Sequence, residues 1–444
     1  MVLIAAKFLT FLGSSKYELC TYQLGDKSYT SRFVQKALLE ILSGQEPIEA
    51  VIFLTTQARE SNWEKENKWC YLGLAGELEN LEKEKRILVQ TVDIPGSQDQ
   101  GSIWEVFRQI LDHLDEEDEV YFDITHSFRY QPMLALLVLH FARVIRNIHI
   151  RGIYYGNIEA KRPGEVPIAP VNDLSSFVDV QDWITNVYAY LHTGRAEPLY
   201  QWLYTAKNRQ LKQGASPDQL ATMESAVKVA KALKELSLSL ETNRGPIIPG
   251  KAKQARKKLQ QVQDHLPHPF QPIQILLDTM ESQIQGLDHQ DPIESGISAV
   301  TWCIERGLIQ QAYTMLDELV LTAICLAEGY RFEEVKDYEN VRSKVGQQVN
   351  DAIQWLKEKK DSSMEKDDHS LKEYLIDNYR GFIQLYGELK LDRNDLNHAG
   401  WRKDLKKPEY FARKIAFHNK QPGKYANLIK ELRRYWQENK PEAF

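Results

Sequence analysis

Asp123-Ile124-Thr125-His126-Ser127-Phe128-Arg129 joins a strand signal to a helix signal. Ahead of it, Glu119-Val120-Tyr121-Phe122 is a β-branched and aromatic run bounded by the acidic cluster Asp115 to Asp118, and it reads as a buried strand. After it, Met133-Leu134-Ala135-Leu136-Leu137-Val138-Leu139-His140-Phe141-Ala142 reads as an apolar helix. Small hydroxyls and an arginine thus stand where a strand ends and a helix begins. In an open parallel sheet, ligands bind at that place. Free backbone N–H groups at a helix start attract anions, and the Arg129 guanidinium is a fork that grips phosphate. A plainer reading of the same residues is a helix N-cap at Ser127 with Arg129 on the surface.

Upstream the pattern repeats. Val2 to Leu9 reads as a first strand that ends in Thr10-Phe11-Leu12-Gly13-Ser14-Ser15-Lys16-Tyr17. Gly13 lets the backbone turn or approach a ligand, and Ser14, Ser15 and Lys16 suit phosphate. The Gly-x4-Gly-Lys spacing of a Walker loop is missing. Thr30 to Leu42 reads as a helix capped by Ser28 or Thr30. Ala50 to Thr56 is a second strand that also ends in hydroxyls, Thr55 among them, and Leu72 to Lys85 reads as a helix. Ile87 to Ile94 is a third strand, and Ser102 to Leu114 reads as a helix. Ile148 to Tyr155 is a fifth strand, with Val166 to Val171 returning across Pro163-Gly164. Strands alternating with helices argue a Rossmann-like α/β unit with a parallel sheet. Three strand ends with small polar residues on one sheet edge outline a site; ordinary turn chemistry is the alternative.

The chain has 444 residues, enough for two or three domains, and is 43% hydrophobic and 27% charged. Its formal net charge is −6, so the whole-chain field does not mark a nucleic-acid binder, although a local basic surface remains open. Cys20, Cys70, Cys303 and Cys325 show no CxxC and no metal-ligand spacing, which fits a reducing cytoplasm. The first residues are too short for a signal-peptide core, and no apolar run reaches membrane-span length.

Beyond Phe177 strand signals nearly vanish. Helical spacing runs through Val180–His192, Pro198–Leu211, Pro217–Leu240, Gly250–Leu266, Phe270–Leu287, Ser298–Glu328, Asn340–Lys357, Ser370–Leu389 and Lys424–Trp436. The expected division is therefore an α/β unit over residues 1–178 and an all-α region over residues 179–444. The charge run Glu358 to Asp368 reads as a mobile loop.

A second constellation is Arg393-Asn394-Asp395-Leu396-Asn397-His398. Histidine moves protons near neutral pH, and arginine stabilises charge developing on phosphate. Arg108/His113 and Arg413/His418 share the spacing and Arg143/His149 is one residue longer. These read as structural or, for Arg413/His418, as part of a basic segment. The Arg393 pair stands among polar residues poorly suited to a helix interior, which suggests a site; a solvated helix capped at Asp392 or Asn394 is the alternative. Downstream, Arg402 to Arg434 holds eleven Lys and Arg against Asp404, Glu409 and Glu431. Such a segment suits a phosphate backbone, with Trp401, Tyr410 and Phe411 for stacking, or is simply a solvated basic face.

Together the two constellations resemble the CRISPR-associated ribonucleases that join a CRISPR-associated Rossmann-fold (CARF) sensor to a HEPN nuclease domain. Phe11-Leu12-Gly13-Ser14 with Tyr17 is similar to that family's first sensor motif, and Asp123 to Arg129 to its second. Arg393 to His398 resembles the HEPN signature. Ser14-Ser15 stands where relatives often carry Thr-Gly. The resemblance implies a C-terminal HEPN domain, and a CARF site for cyclic oligoadenylate lined by Thr10, Phe11, Leu12, Gly13, Ser14, Ser15, Lys16, Thr55, Thr125, His126, Ser127, Phe128 and Arg129. Cyclic tetraadenylate is expected ahead of hexaadenylate. It further implies a catalytic centre of Arg393, Asn394 and His398 that needs no metal or other cofactor. The implied activity is activator-dependent cleavage of single-stranded RNA in type III CRISPR antiviral defence. The implied assembly is a homodimer or a higher oligomer of dimers. Two alternatives stay open. One is a nucleotide sensor that regulates a partner protein or binds nucleic acid without cutting it. The other is a ring nuclease that degrades the cyclic oligoadenylate, with Thr10, Ser14 and Ser127 orienting a ribose hydroxyl but no evident general base.

Overall fold

The computed structural model describes residues 6–43, 47–85, 87–97, 99–126, 130–212, 214–263, 273–331, 337–358, 370–401, 405–416 and 422–442. The chain divides into two compact units, residues 1–179 and 180–444.

The strands of the first unit are β1 Ala6–Leu12, β2 Cys20–Leu24, β3 Lys27–Ser31, β4 Ile48–Leu54, β5 Ile87–Asp93, β6 Glu119–Asp123, β7 His149–Gly156 and β8 Ile168–Asp173. They form one eight-stranded sheet in the order β3-β2-β8-β7-β6-β1-β4-β5. β1 runs parallel to both β4 and β6, with Leu12 beside Leu54 and Thr10 beside Asp123. The chain thus leaves β1 for β4 and β5 on one side, then returns to β6 on the other. That reversal opens a crevice at the carboxyl ends of β1, β4 and β6, where doubly wound sheets bind ligands.

Helices cover both faces. They are α1 Val34–Leu42, the single turn α2 Thr56–Ala58, α3 Leu74–Lys85, α4 Gln100–Asp112 and α5 Gln131–Arg146. Phe8 and Leu12 of β1 pack into one apolar layer with Val34, Leu38, Leu74 and Leu78. Leu9 and Phe11 pack into the opposite layer with Val106, Ile110, Leu134 and Val138. Being buried on both faces explains why the strand reads as an unbroken apolar run.

Two expectations are corrected here. The first strand runs to Leu12, so Thr10, Phe11 and Leu12 belong to the sheet rather than to the turn after it; its expected start at Val2 lies outside the described residues. Residues 30–31 belong not to the helix but to β3, which pairs with β2 in a hairpin turned by Gly25 at φ +58°. That hairpin was missed because β3 is mostly exposed and polar. The return strand, by contrast, is β8, antiparallel to β7 with Tyr154 beside Asp173.

From residue 175 the chain is helical: α6 Ser175–Thr193, α7 Glu197–Lys212, α8 Pro217–Glu241, α9 Ile248–Gln263, α10 Ile273–Ile284 and α11 Pro292–Glu305. Then come α12 Ile309–Ala327, α13 Tyr338–Glu358, α14 Leu371–Asn378, α15 Arg380–Asn397, α16 Pro408–Ile415 and α17 Lys424–Asn439. The expected single helix over 298–328 is two, because Gly307 takes φ +70° between α11 and α12. The expected helix over 370–389 breaks at Tyr379, and its second half continues to Asn397. α16 was not expected. The charge run after Glu358 lies outside the described residues. Among the described residues, no helix is long and apolar enough to cross a membrane.

Gly194 links α6 to α7 at φ +73°, and a Cβ there would lie 2.1 Å from the Trp302 ring. Gly194→Ala should therefore destabilise the helical unit by about 1–3 kcal/mol, through overpacking and left-handed strain. Thermal unfolding followed by circular dichroism checks this; an unchanged midpoint contradicts the packing at this turn.

Candidate functional site

The crevice at the carboxyl ends of β1, β4 and β6 is built from the turn after β1. Asn62 donates to the carbonyls of Gly13 (2.7 Å) and Ser15 (2.9 Å). Tyr71 donates its hydroxyl proton to Asn62 Oδ1 (2.8 Å) and accepts from the Tyr17 amide (3.2 Å). The Tyr17 hydroxyl accepts from the Gly13 amide (2.9 Å), and Gln35 donates to the Phe11 carbonyl (2.9 Å). Asn62, Tyr17 and Gln35 are buried. Asn62 comes from a π-helical turn, Arg59–Trp63, that follows α2. The turn is thus held by its backbone, leaving the side chains of Ser15 and Lys16 in solvent and Ser14 half-exposed. Sequence reasoning missed Asn62, Tyr71 and Gln35, because a buried polar clamp leaves no local pattern.

Thr10 is buried, and its hydroxyl donates to Asp123 Oδ2 (2.7 Å). Phe11 and Leu12 are buried too, so the accessible part of this edge begins at Gly13. Thr55 follows β4 and caps α2 by accepting from the Ala58 amide (3.2 Å). Thr125 donates its hydroxyl proton to Asp123 Oδ1 (2.5 Å) and accepts from the Gly156 amide (2.7 Å). Burial pushes the Asp123 carboxyl up to about 6, while the donors from Thr125 and Thr10 pull it down.

His126 lies against this frame. Its ring is 4.2 Å from the Tyr17 ring, and a Cβ on Gly13 would stand 3.4 Å from its Cβ. Nε2 of His126 is buried with no hydrogen-bond partner among the described residues. Burial brings the imidazole down to about 4, so it is neutral at physiological pH. A buried polar atom of this kind calls for a hydrogen-bond partner. Ser127, Phe128 and Arg129 lie outside the described residues.

The second constellation ends α15. Arg393 is half-buried and held by acids of α12: Nε lies 3.3 Å from Asp317 Oδ2 and Nη2 lies 3.6 Å from Glu318 Oε1. Its Nη1 donates to Asn394 Oδ1 (3.3 Å). Burial raises the Asp317 carboxyl, and the Arg393 charge opposes that rise. His398 is the C-cap of α15 and is exposed. Five residues on an α-helix turn through about 140° beyond a full circle, so the two side chains leave the helix in divergent directions. Among the described residues, no hydrogen bond joins them.

Asp392 anchors the helix end. Buried, it accepts from Lys406 (2.5 Å) and Tyr410 (3.3 Å) on Oδ1, and from Lys414 (2.9 Å) and Tyr425 (2.5 Å) on Oδ2. Burial raises its pKa, but these donors outweigh it and hold the carboxyl below its usual range. This changes the reading of the basic segment. Lys406 and Lys414 serve Asp392, Lys424 pairs with Glu388, Arg433 with Glu294 and Arg434 with Glu431. Phe411 is buried and Tyr410 half-buried, so neither is free to stack; Trp401 is exposed. Residues 402–404 and 417–421 lie outside the described residues. The pair Arg108/His113 is occupied structurally, Arg108 by Glu105 and Asp112, and His113 Nδ1 by the Gln109 carbonyl.

Comparison with known proteins adds three findings. Residues 7–159 match the family described as CRISPR system endoribonuclease Csx1, CARF domain. Residues 179–287 match the second domain of CRISPR-associated protein MJ1674. A stretch of 101 residues is 37% identical to CRISPR-associated protein MJ1674 of Methanocaldococcus jannaschii, covering 22% of this chain and 16% of that protein. Arg393 and His398 lie beyond both matched ranges.

Two outcomes follow for the crevice. Asn62→Ala strips two bonds from the Gly13–Ser15 turn and should cost about 1–3 kcal/mol; an unchanged unfolding midpoint contradicts the clamp. The His126 pKa is lower folded than unfolded, so its stabilising contribution is complete above about 6.5 and is lost as pH falls through about 4. The Asp123 pKa is higher folded, so its contribution has the opposite sign: complete below 3.8 and lost as pH rises through about 6. His126→Phe should flatten the acid side of the stability profile and Asp123→Asn the rise side, each read by thermal unfolding across that range.

Proposed function

The chain is a CRISPR-associated, Csx1-like protein with an N-terminal CARF domain, and we propose that it is an endoribonuclease switched on by cyclic oligoadenylate. The observation that carries this reading is the end of α15, where a tethered arginine and an exposed histidine stand five residues apart in a chain that also has a ligand crevice.

The activator binds at the Gly13–Lys16 turn, with His126 Nε2 offering a polar contact inside the crevice. A ring of identical nucleotides presents equivalent faces to two identical subunits. An apolar stripe on α5, comprising Met133, Leu137, Phe141, Val144 and Ile145, is exposed and supports pairing of two copies. Phe107 of α4 extends that patch, 5.7 Å from Phe141 and 5.6 Å from Trp104. Such a continuous apolar surface marks an interaction site.

Cleavage of single-stranded RNA proceeds by in-line attack. The 2′-hydroxyl gives up its proton as its oxygen bonds to phosphorus, the bond from phosphorus to the 5′-oxygen breaks, and that oxygen takes a proton. Arg393 holds the phosphate, with Asn394 fixing one guanidinium nitrogen. His398 moves the proton. Because one helix sends the two side chains apart, the working site combines the end of α15 from two copies. The chemistry draws on these side chains and on no metal.

Added cyclic tetraadenylate or hexaadenylate should start cleavage of single-stranded RNA, in EDTA, leaving 2′,3′-cyclic phosphate and 5′-hydroxyl ends. His398→Ala should slow it ~10²–10⁴-fold while activator binding by calorimetry stays intact. Arg393→Ala should behave likewise. A mixed dimer with one His398→Ala chain should be strongly impaired; half activity would mean independent sites. Activator binding without cleavage would instead mark a sensor that regulates a partner.

A further inference from the structure

Immediately past His398 the chain makes a built turn. The amides of His398, Ala399 and Gly400 bond to the carbonyls of Asn394, Leu396 and Asp395, and the Trp401 amide bonds to the His398 carbonyl (3.3 Å). Ala399 and Gly400 both take left-handed conformations, at φ +53° and +69°. A non-glycine residue there is strained and persists only where the surroundings fix it. Leu405 folds back so closely that a Cβ on Gly400 would lie 2.5 Å from it, and Lys406 ties the returning chain to buried Asp392. The turn thus presents Trp401 to solvent, 92% exposed.

Among the described residues, the aromatics around Asp392 are in use: Tyr410 and Tyr425 serve Asp392, and Phe411 packs in the core. Leaving an indole in water costs stability, so an indole fixed beside a reactive group invites a planar apolar partner. Lys407, on the returning chain six residues after Trp401, is exposed and suits a phosphate. A planar group with an attached phosphate is a nucleotide. We propose that Trp401 stacks on an unpaired base of single-stranded RNA next to the scissile phosphate and so sets the register in which Arg393 and His398 meet it. This rests on the nuclease reading above. The base must be unpaired, because its face is otherwise covered by its neighbours in a duplex.

The test uses the full chain with His398→Ala, so that RNA is bound and not cut, in the presence of cyclic tetraadenylate and, separately, hexaadenylate. Fluorescence anisotropy of a labelled single-stranded RNA gives affinity, and sedimentation gives assembly size. Trp401→Ala should weaken binding about 5- to 150-fold, the range for loss of one base–aromatic stack. Trp401→Phe should recover most of it, and neither change should alter assembly size or binding of duplex RNA. In the cleaving protein, Trp401→Ala should raise KM more than it lowers kcat. Equal RNA affinity in Trp401→Ala overturns the proposal. A smaller assembly in that variant also overturns it, assigning the indole to the contact between copies. If the His398→Ala parent binds no RNA and the wild type cuts none, the nuclease reading itself fails, and the stacking role with it.

Discussion

Burial of β1 on both faces is the constraint on which the first unit depends. Its side chains alternate between two apolar layers, and both neighbouring strands run parallel to it. A strand in that position has no freedom of register, because a slip of one residue would exchange the two layers. The ends of β1, β4 and β6 are therefore carried to one edge together. The only polar side chain that β1 buries in the middle of its span, Thr10, is answered by Asp123 on β6. That bond ties the two strands just beneath the crevice.

Two buried carboxylates organise the two candidate sites in similar ways. Asp123 gathers Thr10 and Thr125 under the Gly13 turn, and Asp392 gathers two lysines and two tyrosines under the end of α15. A buried carboxylate is costly unless its oxygens are met by donors. Once they are met, it fixes the segments that supply them. In both cases the residues exposed above the carboxylate are those suited to meet a ligand: Ser15 and Lys16 in one, His398 and Trp401 in the other. The difference in donor charge shows in the titration. Neutral hydroxyls and an amide leave Asp123 raised, whereas two ammonium groups bring Asp392 below the ordinary range.

The catalytic candidate has an unfinished look in a single chain. Arg393 is bound by Asp317 and Glu318, and Glu318 is shared with Arg342 (2.6 Å). These acids position the guanidinium and occupy part of its fork. His398 faces solvent instead of its sequence partner. An arrangement of this kind suits groups that converge across two copies, and the exposed apolar face of α5 is a second feature that a single chain leaves uncovered.

Alternation of apolar strands with helices was enough to read the α/β unit from the sequence, since period and length are local properties. The same holds for the helical second unit and for the polar strand ends that mark the crevice. The Arg393–His398 pair was visible as spacing and as an unusual run of polar residues. The sequence could not show which polar residues are spent on structure. Asn62 lies far along the chain from the turn it clamps, and the basic residues after Arg402 meet acids as distant as Glu294. The β2–β3 hairpin was hidden because its outer strand pairs on one edge only and carries little apolar signal. The periodicities were legible in the sequence, and with them most of the elements and their order, though not the β2–β3 hairpin or α16. Which hydroxyls are buried, which lysines are neutralised and which indoles stay in water came only from the tertiary fold, because those outcomes depend on contacts between residues that no local pattern joins.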